Sequence, residues 1–160
     1  MFRQKFHVPL ILFVAIALPT SFASGMGREL GKTKEQLKLK YDVSVTDHGT
    51  GRVSIVLTIA DQGRLKPLTS VDLVILTEEE SKAIKVGRGY SGHVDLSAAL
   101  ATTKEDGKQL VQVHLLKELA ERAQLELRTS TLDGKSEPLT WYYHVIPIAK
   151  YLKDGKQKKD

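Results

Sequence analysis

The chain contains no cysteine. A disulfide, a thiolate metal ligand and a lipid-bearing cysteine are thereby excluded, and stability in an oxidising compartment has to come from a packed core. Asparagine is absent too, so no N-x-[ST] glycosylation acceptor exists. Long apolar runs are nearly missing. The one sustained run, Val8 to Leu18, spans 11 residues and is broken once, at Pro9. A membrane-spanning helix needs roughly 20.

The flanks of that run give it a meaning. Arg3 and Lys5 precede it and Ser21-Phe22-Ala23 follows it, which makes the basic start, apolar middle and small-x-small end of a secretory signal peptide cleaved after Ala23. Residues 1–23 are therefore expected to be removed, leaving a secreted or periplasmic chain with no transmembrane segment. Export without cysteine or glycosylation sites suits a bacterial periplasm or cell surface better than a eukaryotic exterior.

The formal net charge of +5 shrinks once it is apportioned. Arg3 and Lys5 lie in the signal segment, and residues 150–160 hold Lys150, Lys153, Lys156, Lys158 and Lys159 against Asp154 and Asp160. The body between is neutral by count. Nucleic-acid binding by it has no compositional support, and residues 150–160 are expected to be a lysine-rich solvated tail.

Residues 24–36, with Gly25, Gly27 and Gly31 among charges, are expected to be a flexible lead or a single frayed helical turn. From Leu37 to Thr46 apolar and polar residues alternate, the period of a half-buried strand. Asp47 to Gly51 is turn chemistry, and Val53, Ile55, Leu57 and Ile59 alternate again, which predicts an antiparallel hairpin. Val71 to Thr77 is apolar on both faces, as a central strand is. Glu78 to Glu80 are expected to form a solvated turn, Lys82 to Val86 a short strand, and His93 to Leu100 another, with Val94, Leu96 and Leu100 facing one way. Between Lys108 and Thr129 two periods compete. Val111, Val113 and Leu115 alternate, whereas Leu116, Leu119, Ala120 and Ala123 follow helical spacing, so the expectation is strand, short helix over 116–122, strand, with one long helix as the rival. Asp133-Gly134 turns the chain into a last strand carrying Trp141, Tyr143 and Val145.

These elements imply one all-β domain over residues 37–149: an immunoglobulin-like two-sheet β-sandwich of about 7–8 strands with one short helix, with a small β-barrel as the alternative. The cysteine and tryptophan spacing of antibody domains is absent.

Gly87, Gly89 and Gly92 have the G-x-G-x-x-G spacing of a nucleotide-binding loop. A dinucleotide site needs a helix directly after the glycines, to hold the pyrophosphate at its N-terminus. Here the following residues alternate like a strand, so the glycines are expected to turn a corner. A P-loop would have lysine where His93 stands. Ser91, His93 and Asp95 contain the residue types of a hydrolytic triad, but as i, i+2 neighbours on a strand they share a face without its hydrogen-bond geometry.

No catalytic constellation stands out and no cofactor is implied, with a hydrolase whose site is assembled from loops left as a third reading. The chain is therefore expected to be a non-catalytic binding or structural module of the cell envelope or extracellular space, contacting a protein, peptide or glycan through sheet edges or loops. On the last strand, Trp141 and Tyr143 are assigned to the core and Tyr142 and His144 to a contact patch on the opposite face. The alternative is a periplasmic copper- or zinc-binding protein in which His93, Asp95, His114 and His144 converge on one ion.

Overall fold

The computed structural model of the chain describes residues 28–152. The expected signal segment, residues 1–23, and most of the lysine-rich end lie outside them. The described chain is a two-sheet β-sandwich and not a closed barrel. Its smaller sheet begins with the hairpin β2 (Lys40–Asp47) and β3 (Arg52–Asp61). It is completed by β6 (Thr103–Glu105) and β7 (Lys108–Leu116), in the order β2-β3-β7-β6. The larger sheet comprises β1 (Arg28–Gly31), β4 (Ser70–Leu76), β5 (Val94–Ala99), β8 (Ala123–Thr129) and β11 (Thr140–Pro147), in the order β1-β11-β8-β4-β5. The chain changes sheet between β1 and β2, β3 and β4, β5 and β6, and β7 and β8. This crossing pattern is the immunoglobulin-like one: β2-β3-β7-β6 is the four-strand A-B-E-D sheet, and β4, β8 and β11 stand as C, F and G.

The period of two sorts side chains as expected in most strands. Val53, Ile55, Leu57 and Ile59 of β3 and Val111 and Val113 of β7 meet Val71, Leu73 and Ile75 of β4 and Leu125 and Leu127 of β8 in one core. Between Lys108 and Thr129 the alternation prevails over the long helix. The strands β7 and β8 flank α3 (Lys117–Ala120), whose single turn buries Ala120 while the chain passes between sheets. Asp133-Gly134 links β9 (Thr131–Leu132) to β10 (Lys135–Ser136), with positive φ at both turn residues, as a tight hairpin requires.

Three expectations are corrected. Within the expected lead, residues 28–36 are not flexible throughout, because β1 pairs in parallel with β11 and α1 (Lys34–Leu37) follows. This short helix is held by a capping box in which the Thr33 hydroxyl accepts from the Gln36 amide while the Gln36 side chain accepts from the Thr33 amide. Parallel docking of β1 also explains Gly31: a Cβ there would meet the Tyr143 ring at 3.1 Å.

Secondly, Glu78 to Val86 is not turn plus strand but α2 (Glu78–Lys85). The Thr77 hydroxyl caps the Glu80 amide, glutamates occupy the first turn, and Lys82 and Lys85 sit toward the end, each favoured by the helix dipole.

Thirdly, β11 faces the other way round. Tyr142 (3% exposed) and His144 (7%) point inward and Trp141 (38%) points outward. Ile146 and Ile148, both buried in the core, fix this phase: one strand cannot bury them and Trp141 on the same face.

Candidate functional site

The end of the larger sheet formed by α2, the glycine loop and β5 carries most of the exposed large hydrophobic side chains among the described residues. Ile84, Val86 (72% exposed), Tyr90, Val94 and Leu96 (47%) all come from this one segment. Leu96 pairs with Ile75 and Val94 with Leu76, across an irregularity in the ladder, so the two lie on opposite faces and not on the one face their spacing predicts; both are exposed.

The loop between α2 and β5 turns on Gly87 and Gly92, both at positive φ, and β5 follows it, so the glycines serve the corner and no phosphate-binding helix start exists. What holds the loop is Glu80. Its side chain is 4% exposed and accepts hydrogen bonds from the Ser91 amide (2.6 Å) and the Ser91 hydroxyl. The bonds from Ser91 hold the Glu80 carboxyl below its usual pKa range, with His93 adding to the effect. The Tyr90 hydroxyl is pushed above its usual range by burial and by the Glu126 and Glu80 carboxylates.

Ser91 and His93 do form a hydrogen bond, Oγ to Nδ1 at 2.7 Å, because both sit in the loop before β5 rather than on a strand. The arrangement is still not a catalytic relay. A relay places the imidazole between hydroxyl and carboxylate, one nitrogen to each. Here His93 turns the same Nδ1 toward both Ser91 and Glu80, and the carboxylate binds the hydroxyl directly. Asp95, the third member of the expected set, is paired with Arg122 instead.

The sheet edges differ in how they meet solvent. β1 is four residues long and carries Arg28 and Glu29; β6 is three residues, Thr103-Lys104-Glu105; β2 carries Lys40, Asp42 and Asp47. Short length and charge, lysine above all, are the usual ways of blunting an edge against pairing. β5 has six residues, Val-Asp-Leu-Ser-Ala-Ala, without lysine or proline, and its one charge is spent on Arg122.

A second concavity of about 500 Å³ lies between α1, β11 and α4 (Ala149–Leu152), and it contains His144. There Nδ1 of His144 meets the Lys32 carbonyl at 2.9 Å, so this nitrogen carries the proton and Nε2 accepts from the Tyr41 hydroxyl at 3.0 Å. Burial lowers the His144 pKa, and burial with Tyr151 nearby pushes the Tyr41 hydroxyl up to about 12. His144 is thus withdrawn from the expected contact patch, in which Tyr142 is buried as well, and it serves to join the β1–α1 connection to the sandwich.

His93, Asp95, His114 and His144 are not brought together. His93 belongs to the glycine loop, Asp95 to Arg122, His144 to Tyr41 and Lys32, and His114 to the outer face of the smaller sheet, where its Nδ1 lies 2.8 Å from the Ser54 hydroxyl. Among the described residues, no group of three or more histidine, aspartate or glutamate side chains is placed to hold a metal ion. The same residues contain no helix long and apolar enough to cross a membrane.

No protein-family model, curated protein or solved structure matches the chain. Sequence reasoning missed the latch at Glu80 and the open face of β5. Thr77-x-x-Glu80 is a helix-start signature that would have located α2. The exposure of β5 had no local signal, because an apolar face looks the same in sequence whether or not another layer covers it.

Proposed function

We propose that the protein is an exported, non-catalytic binding module. Its partner is another protein of the cell envelope or extracellular space, which adds an extended segment to the open edge of β5. The observation that carries this reading is the contrast among edges: β5 is apolar and lacks lysine and proline, whereas β1, β2 and β6 are short or charged. Strand addition supplies main-chain hydrogen bonds for affinity, and alternate side chains supply specificity. Leu96 offers an apolar contact on the Ile75 face of the edge and Val94 one on the Leu76 face, and Val86 and Tyr90 extend them beyond the strand end. Glu80 fixes the loop that presents Tyr90, so this part of the surface is ordered before binding, which lowers the entropy cost of association.

The test is a photoreactive amino acid placed at Leu96 or, as a control, at Lys104 of β6, in cells that export the protein. The reading predicts one discrete crosslinked product with a second protein from position 96 and none from 104. Equal labelling at both positions would overturn it. A product of twice the chain's own mass would replace the foreign partner with a second copy.

A further inference from the structure

The geometry points to a surface site for a divalent transition metal, formed by His48 and His114 around Ser54 on the outer face of the smaller sheet. The antiparallel register sets Ser54 of β3 directly opposite His114 of β7. The β2–β3 turn returns His48 to the same place, with its amide donating to the Arg52 carbonyl. Both rings reach one oxygen: His48 Nε2 is 2.5 Å and His114 Nδ1 is 2.8 Å from Ser54 Oγ. A hydroxyl has one proton to give, so one imidazole accepts it and the other donates its own N–H. Two imidazole nitrogens that meet at one hydroxyl oxygen can both be taken as ligands by an ion that replaces the two hydrogen bonds, with the Ser54 oxygen beside it.

Coordination requires both facing nitrogens to present lone pairs, which moves the ring protons to His48 Nδ1 and His114 Nε2. The second of these finds a partner in place. The Gln112 side-chain amide lies 3.3 Å from His114 Nε2, and with its oxygen turned inward it accepts that proton. A metal-binding histidine usually donates its remote N–H to such a carbonyl, which fixes the tautomer.

The donor set selects the metal. Imidazole suits zinc, copper and nickel, with copper(II) bound most tightly, whereas magnesium and calcium demand several oxygens that this site lacks. Lys117, the nearby cation, is held by Asp47 at 2.7 Å, so its charge is matched. Both rings are exposed, which leaves the remaining coordination positions to water. This set shares only His114 with the four residues singled out from the sequence, and it is independent of the β5 edge.

The experiment is titration of copper(II) and zinc into the untagged protein, followed by calorimetry and by histidine ring signals in NMR. The expected result is one ion per chain, with substoichiometric copper(II) broadening His48 and His114 while leaving His93 and His144 sharp. His48→Ala and His114→Ala should each weaken binding by more than about 10-fold, and Gln112→Ala by about 10-fold. His93→Ala should change nothing. Broadening of all histidines together, or equal affinity in the His48→Ala/His114→Ala double variant, would overturn the site. The NMR reading uses the unaltered protein, so it stands whether or not a variant folds.

Discussion

β5 and β6 are consecutive in the chain, lie in different sheets and each end their sheet, yet they meet solvent in opposite ways. β6 is three polar residues with a lysine in the middle. β5 is twice as long and presents Val94 and Leu96 outward. An edge strand that invites pairing is a liability unless something is meant to pair with it. The difference teaches that edge protection is local and selective here: the sandwich guards one exit from the core region and leaves its neighbour open.

The largest effect comes from removing what both edges share. Leu125 of β8 is fully buried, and Leu125→Ala should cost about 2–5 kcal/mol, measured by denaturant unfolding, with both edges losing order together. Separate transitions would mean that the edges belong to different cooperative units.

Next is the edge itself. Leu96→Lys gives β5 the character of β6 and should cut crosslinking from a probe at Val94 by about 10-fold, equivalent to about 1.4 kcal/mol of binding. Stability should stay within about 0.5 kcal/mol, since the side chain is exposed. A large loss of stability would show that Leu96 belongs to the core.

Smaller effects separate the loop from the strand. Glu80→Gln should accelerate amide exchange at Ser91 and Tyr90 while leaving β5 amides paired with β4 unchanged. Acid should do the same. The folded-state pKa of Glu80 is lowered, so its contribution is complete above the unfolded value of about 4.3 and is lost as pH falls through the folded one. His144, far from this loop in sequence, has a different window. Its pKa is lowered chiefly by burial, so the unfolded chain takes the proton first and stability falls as pH drops below about 6.5. His144→Gln should flatten that slope in pH-dependent unfolding. Smallest of all, Lys104→Leu should create no new crosslink on β6, because three residues are too few for a stable added strand.

Much of the sandwich was legible because its strands are half-buried and alternate. Val53 to Ile59 and Val111 to Leu115 declared both their conformation and their inward face. β11 declared only its conformation. Trp141 outweighs Tyr142 in apolar bulk, but Ile146 and Ile148 set the phase, and which residues win depends on what lies opposite. β1 stayed hidden because a four-residue charged strand owes its form to pairing with β11 rather than to its own composition. The candidate surface was legible in part: Val94 and Leu96 were placed on a strand, but the irregularity that sends them to opposite faces, like the absence of a covering layer, is a property of the assembled sheet. The pairing of His48 with His114 through Ser54 depends in the same way on register, which spacing along the chain does not carry.

The most direct test of the central claim is amide hydrogen exchange on the protein alone and with the partner recovered by crosslinking at Leu96. Strand addition predicts new protection at the β5 amides that face away from β4, with no change in β6 or in the cleft around His144. Protection confined to that cleft, or spread evenly over the surface with β5 unaltered, would contradict it.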